Sequence, residues 1–202
     1  MRHLTFGLTG GICCGKSTVA KTMQADNIPI VDADLITRQL QEVGRLGWQL
    51  IKQAFGEDYL LPNQELDRAK LGRRVFSDLT ARQLLNQLMH PLIKVEIEEE
   101  VYRHQQVGQA LVGLDAPLLI ESGLAEQYRP LIIVSCPTEV QLSRLISRNN
   151  LTQQEANDRI AAQMPTEEKV KMADYVIDTS GELEQSIAQT KEIIGKLRGL
   201  VV

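Results

Sequence analysis

The run Gly10-Gly11-Ile12-Cys13-Cys14-Gly15-Lys16-Ser17 fits the spacing G-x-x-x-x-G-K-[ST] of a phosphate-binding loop. Glycine at Gly10, Gly11 and Gly15 lets the backbone turn tightly and come close to an anion. The free amides at the start of a following helix point at that anion, and the helix dipole favours its charge. Lys16 has the reach and charge to hold β- and γ-phosphates, and the Ser17 hydroxyl can ligate Mg²⁺. Acids end two later apolar runs: Asp32 and Asp34 close IPIVDAD, and Asp115 closes ALVGLD. Asp115 stands where a Walker B acid would hold Mg²⁺, directly or through water. One of Asp32 and Asp34 caps a helix and at least one serves the site; the residues alone leave open which does which. Arg144 and Arg148 lie four apart on one helix face, and Arg159 follows. Guanidinium groups suit phosphate because they bind it in bidentate fashion and stay charged. His90 is ambiguous, since a lone histidine is more often structural than a ligand.

These residues need elements to hold them. Residues 3–9 are uncharged and mostly apolar or β-branched, a buried parallel strand, and residues 16–25 read as a helix. Residues 28–33, 110–115, 131–136 and 175–178 complete five strands that alternate with helices, so the fold class is α/β with a parallel sheet. Residues 35–106 carry no strand signal and form a helical insertion. Within it, Leu35 to Leu40 and Trp48 to Phe55 are amphipathic, 56–66 is a loop, and Asp67 caps a helix ending near Phe76. Thr80 and Gln83 make a capping box, and His90-Pro91 ends that helix and opens another on which Ile93, Ile97 and Val101 face the core. Glu96, Glu98, Glu99 and Glu100 are its solvated face. Later, Thr138 with Gln141 caps a helix through Arg148, Asn149-Asn150 breaks it, and Thr152 with Glu155 caps a second that runs to Pro165. Two short helices with a polar break and three arginines read as a mobile lid over a phosphate site.

Composition removes several classes. The 202 residues form one large domain or a core with insertions. Acidic residues (26) exceed basic ones (22), giving net charge −4, which argues against general affinity for nucleic acid. No apolar run is long enough to span a bilayer, and no secretory leader is visible. The expectation is a cytoplasmic protein without membrane contact, a monomer or weak homo-oligomer. Three cysteines, two of them adjacent, fit neither a disulfide framework nor a zinc pattern. A GTPase would need a guanine-reading [NT]-K-x-D segment after a late strand; Thr190-Lys191-Glu192 lacks the acid.

The combined pattern resembles the dephospho-coenzyme A kinase family. The matching stretches are GLTGGICCGKST at 7–18, VDAD at 31–34, HPLI at 90–93, DAPLLIESG at 115–123, QLSRL at 141–145, RIAAQ at 159–163 and ADYVIDTSG at 173–181. The resemblance implies a P-loop nucleoside triphosphate hydrolase fold that phosphorylates the ribose 3′-hydroxyl of dephospho-coenzyme A with ATP and Mg²⁺. It implies three parts: a nucleotide core of residues 1–34, 107–137 and 165–202, a helical acceptor domain 35–106, and a lid 138–164. Lys16, Asp34 and Arg144 would be catalytic. Gly10 through Thr18, with Arg148 and Thr179, would hold the nucleotide. His90, Asp115, Leu118 and Glu121 would line the acceptor side, and Ser17 and Asp115 would take the metal. The alternatives are a nucleoside monophosphate kinase, another small-molecule kinase, or a P-loop switch without catalysis.

Two departures from the resemblance stand out. The family usually has Gly-Ser or Gly-Ala at Cys13-Cys14, and I-D-N-x-G where this chain has Ile177-Asp178-Thr179-Ser180-Gly181. Cys14, at a helix start beside Lys16, has two features that lower a thiol's pKa. It is therefore a candidate for modification that bound nucleotide would suppress. The plainer alternative is a side chain that points away from the phosphate, with only its amide in use.

Overall fold

An uncharged strand buried over its last five residues needs cover on both faces, and β1 (Leu4–Gly10) has it at the centre of the sheet. The computed structural model describes residues 2–201. Its five-stranded sheet has the order β2-β3-β1-β4-β5, with β2 at Ile30–Asp32, β3 at Leu111–Asp115, β4 at Leu131–Ser135 and β5 at Tyr175–Asp178. β1 runs parallel to β3, with Leu8 opposite Asp115, and parallel to β4, with Gly10 opposite Val134. β4 runs parallel to β5, with Ser135 opposite Asp178. The chain departs to opposite sides of β1, so the carboxyl end of β1 is the switch point where such sheets bind ligands.

Two helices seal one core. α1 (Lys16–Ala25) and α9 (Leu183–Gly199) contribute Val19, Met23, Ile193 and Leu197 to a cluster with Phe6, Leu8, Ile132 and Ile177. The chain divides into two compact units, one running through Val31 and resuming at Val101, the other spanning Asp32–Glu100. The second unit is built on α2 (Ala33–Leu40), α3 (Leu46–Phe55), α4 (Arg68–Ser77) and the first part of α5 (Leu79–Gln106). Its own core is Ile51, Leu66, Leu71 and Met89, bordered by Trp48 and Phe55. Trp48 also donates its indole N–H to the Gln64 carbonyl at 2.8 Å, which ties the loop to α3.

Several local expectations are corrected. β2 is only three residues long, because Asp32 turns its carboxylate onto the amides of Asp34 and Leu35 and starts α2 there. The 56–66 stretch contains a 3₁₀ turn at Glu57–Tyr59 and a Leu60–Leu66 bridge. Thr80 and Gln83 form no capping box: Asp78 accepts from Thr80 N at 2.8 Å and Ala81 N at 3.1 Å, so Thr80 already lies inside the helix. His90-Pro91 breaks nothing; Pro91 sits inside α5. Proline removes one rung of the helical ladder, and the burial of Met89 and Ile97 on either side outweighs it.

The arginine segment is also rearranged. α6 (Thr138–Asn149) starts after Pro137 without a side-chain cap, and Gln141 is buried instead, donating to Cys136 O and Thr166 Oγ1. Asn150 ends α6 in the left-handed region at φ 52°. The Thr152–Glu155 capping box is present on α7 (Gln153–Ala161), which stops short of Pro165, and a separate α8 occupies Thr166–Val170. Among the described residues, no helix is long and apolar enough to cross a membrane.

Ile51 is fully buried at the centre of the helical unit's core. Ile51→Ala should cost about 2–5 kcal/mol. Hydrogen exchange should show faster opening in α3 and α4, with α1 and α9 protected as before; uniform loss of protection would mean the helical core is not independent.

Candidate active site

The loop between β1 and α1 is shaped by what lies behind it. A Cβ on Gly10 would stand 2.4 Å from Val134 O, and one on Gly11 would stand 2.5 Å from Thr166 Oγ1, so both positions exclude side chains. Gly15 takes φ 79°, open to glycine at no steric cost. Cys13 takes φ 59° without that freedom, a conformation that costs a residue with a Cβ about 1–2 kcal/mol. The loop is braced from outside. Thr179 is buried and donates its hydroxyl to Cys14 O at 2.7 Å. Arg144 donates to Thr179 O at 2.7 Å and to Cys13 O at 3.4 Å. The Ile12 amide donates to Gln163 Oε1 at 2.9 Å.

Lys16 opens α1, and its ammonium pairs with Asp115 Oδ1 at the end of β3. Both side chains are mostly covered, at 19 % and 10 % exposed. The β1–β3 register, with Leu8 opposite Asp115, brings these charges together. Ser17 is exposed in the first turn of α1. A cavity of about 250 Å³ adjoins the loop, lined by Cys13, Gly15, Thr18, Arg144, Thr179 and Gly181 among others. Its lining includes Thr18 and Thr179, expected to hold nucleotide, and Arg144, expected to be catalytic; Arg148 is not part of it.

The remaining candidates fall into three groups. Arg148 is exposed, and its Nε donates to Asn149 Oδ1 at 2.9 Å. Leu118 is half exposed in the loop after β3, and Glu121 in the same loop pairs with Lys169 at 2.8 Å and accepts from Met164 N at 3.1 Å. Asp34 and His90 belong to the helical unit, Asp34 in the first turn of α2 and His90 on α5, both exposed. Asp32 performs the capping, so the Asp34 carboxylate has no such duty.

At Cys14 the plainer alternative holds, with the side chain turned inward. Cys14 is 1 % exposed, and its Sγ lies 3.6 Å from that of Cys136, just beyond β4. Its pKa is lowered to about 7 chiefly by the hydrogen bond from Cys136, not by Lys16 or the helix start. That same bond pushes the Cys136 thiol up. Burial raises Cys13, against the nearby charges of Arg148 and Arg144. All three are free thiols. Burial thus closes Cys14 to reagents that the sequence reading left open to it.

Lys169, Thr166 and the side-chain oxygen of Gln163 carry no role in the sequence pattern, and Gln141 carries only the cap that the structure does not form. Lys169 sits in the polar run TEEKVK, which looks like a solvated surface. Gln163 and Gln141 had a signal, their places in the RIAAQ and QLSRL stretches.

Cys13→Gly should relieve the left-handed strain and raise stability by about 1 kcal/mol, read as a higher Tm with activity retained. An unchanged or lower Tm would contradict that strain. With iodoacetamide on the folded protein, labelling should fall on Cys13, and Cys14 and Cys136 should react only after unfolding; rapid labelling of Cys14 would contradict its burial.

Comparison with known proteins follows the same lines. The chain matches the dephospho-CoA kinase family over residues 4–185. The dephospho-CoA kinase of Arabidopsis thaliana is 42 % identical over 192 residues, covering 95 % of this chain and 83 % of that protein. The crystal structure of TT1252 from Thermus thermophilus is similar at TM-score 0.86 and 31 % identity, over 98 % of this chain and 99 % of that one. A dephospho-CoA kinase from Campylobacter jejuni is similar at TM-score 0.70 and 28 % identity, covering 96 % of each chain. With its anion loop, its Lys16–Asp115 pair and these relatives, the chain belongs to the dephospho-CoA kinase family.

Proposed function

We propose that the protein transfers the γ-phosphoryl group of ATP to the ribose 3′-hydroxyl of dephospho-coenzyme A, giving coenzyme A and ADP. The observation that carries this reading is the covered Lys16–Asp115 pair at the ends of the two central strands, directly beside the glycine loop. The triphosphate takes the loop amides and draws the Lys16 ammonium toward its β- and γ-oxygens. The adenosine moiety takes the cavity bounded by Gly15, Thr18, Arg144 and Thr179. Because the Thr179 hydroxyl is spent on the Cys14 carbonyl, that residue supports the loop and contributes its surface, not its hydroxyl, to the base.

Catalysis of this type is mostly positioning and charge neutralisation. Asp34, free of the capping role, accepts the hydrogen bond of the 3′-hydroxyl, orients it for in-line attack and takes its proton. His90 and Leu118 contribute to holding the acceptor. Glu121 does so only through the oxygen that Lys169 leaves available, since Oε1 is engaged. The donors available for a metal are the Ser17 hydroxyl and the Asp115 carboxylate. This oxygen-only set fits Mg²⁺, which keeps several waters and takes one or two carboxylates plus substrate phosphates. When bound, the ion supplies neutralisation of phosphate charge. Arg144 adds a second fixed cation, and α6 with α7 acts as a lid whose closure excludes water and suppresses hydrolysis.

Coupled ADP release tests the reading with dephospho-coenzyme A, a set of nucleoside monophosphates, and no acceptor. Turnover should require dephospho-coenzyme A; preference for a monophosphate, or release independent of acceptor, would overturn it. In the same assay Lys16→Ala should lose nearly all transfer while staying folded. Asp34→Asn should lower kcat by about 10²–10⁴-fold with ATP affinity nearly unchanged. Asp32→Ala should instead cost about 0.5–2 kcal/mol of stability as a lost cap. The opposite pattern would exchange the two roles.

A further inference from the structure

Lys169 is a charge where a charge is expensive. It is 0 % exposed on α8, and removing an ammonium from water costs several kcal/mol unless partners repay it. It has two partners, both in the loop that follows Asp115: Glu121 Oε1 at 2.8 Å and Pro117 O at 3.0 Å. Pro117 O also accepts from the buried Thr9 hydroxyl of β1 at 3.1 Å. Glu121 Oε1 also accepts from Met164 N at 3.1 Å.

The residues around Lys169 reach the other phosphate-handling loop. Gln163 Oε1 accepts from the Ile12 amide at 2.9 Å. Thr166 is buried, accepts from Gln141 Nε2 at 2.8 Å, and fills the space against Gly11 that a Cβ would need. Segment 163–169 therefore touches the glycine loop at one end and the post-Asp115 loop at the other. An apolar side chain would fill the Lys169 site at lower desolvation cost, but it could not hold Pro117 O, two residues beyond Asp115.

We propose that Lys169 is a positioning residue for phosphoryl transfer: through Pro117 and Glu121 it fixes the loop after β3, and so fixes Asp115 against Lys16 at the mouth of the glycine loop. The inference rests on the proposed kinase reading. Lys169 touches no reacting group, so its removal acts on the transition state through Asp115 and leaves nucleotide binding nearly intact.

The test is Lys169→Met, which keeps the length of the stem, alongside Lys169→Met with Glu121→Gln, the latter read against Glu121→Gln alone because Glu121 also serves the acceptor. The double variant removes the carboxylate charge left without its ammonium partner and so restores Tm toward wild type, but it leaves Pro117 O without its ammonium donor. Support of a functional residue from behind is typically worth about 10–100-fold in activity. Both variants should therefore lose kcat on that scale, with KM for ATP changed by less than about threefold, and the double variant should stay slow after regaining Tm. Recovery of kcat together with Tm would show a purely structural role and overturn the inference. So would wild-type kcat in either variant, or a loss confined to KM. If the single variant does not fold, kcat and KM of the double variant decide between the same outcomes. Wild-type protein that fails to phosphorylate dephospho-coenzyme A would overturn the kinase reading alone, because the variant-to-wild-type ratio for acceptor-free ATP hydrolysis still reads Lys169.

Discussion

Lys16 and Asp115 meet at the ends of adjacent parallel strands, in a place where neither charge is well hydrated. A covered ion pair is retained at a cost, because desolvation offsets much of the attraction, and deleting one partner strands the other. The surrounding architecture can be understood as what holds that pair still. β1 lies at the sheet centre, so the loop after it is flanked by β3 and β4. Gly10 must lack a side chain because Val134 O occupies that space, and this draws the loop tight against β4. A triphosphate entering the loop competes with Asp115 for Lys16, so the pair already places the ammonium where the phosphate charge will arrive.

The loop itself shows what this chain does differently. A cysteine at φ 59° stores strain in the segment whose geometry matters most, a common property of functional sites. Its neighbour Cys14 is packed inward against Cys136, so the loop is anchored to β4 through sulfur and to residue 179 through the threonine hydroxyl. Arg144 grips the same threonine carbonyl, coupling the arginine helix to the loop. Thr179 thus supports the loop from behind through its hydroxyl and its carbonyl.

The sheet, the loop and the two helical units of the arginine segment were legible because their signals are local: glycine spacing, apolar runs, and a capping box at Thr152–Glu155. Where the sequence misled, a competing local partner won. Asp78 displaced Thr80 as a cap, and the Thr138–Gln141 pattern lost Gln141 to the buried Thr166. Pro91 could not interrupt a helix held by Met89 and Ile97. Which of Asp32 and Asp34 caps α2 follows from which carboxylate reaches its first amides, and that is Asp32. Lys169 and the Cys14–Cys136 contact had no signal at all, because their partners lie 48 and 122 residues away and nothing in TEEKVK or GICCGK announces them.

The proposed reaction moves a phosphoryl group from the nucleotide in this loop onto one particular hydroxyl. Phosphorus NMR of the product formed from ATP and dephospho-coenzyme A, with the product's mass, tests it most directly. A new ribose 3′-phosphomonoester signal should grow in equal amount with ADP. ADP matched instead by inorganic phosphate, or a phosphoryl group found at any other position, would contradict it.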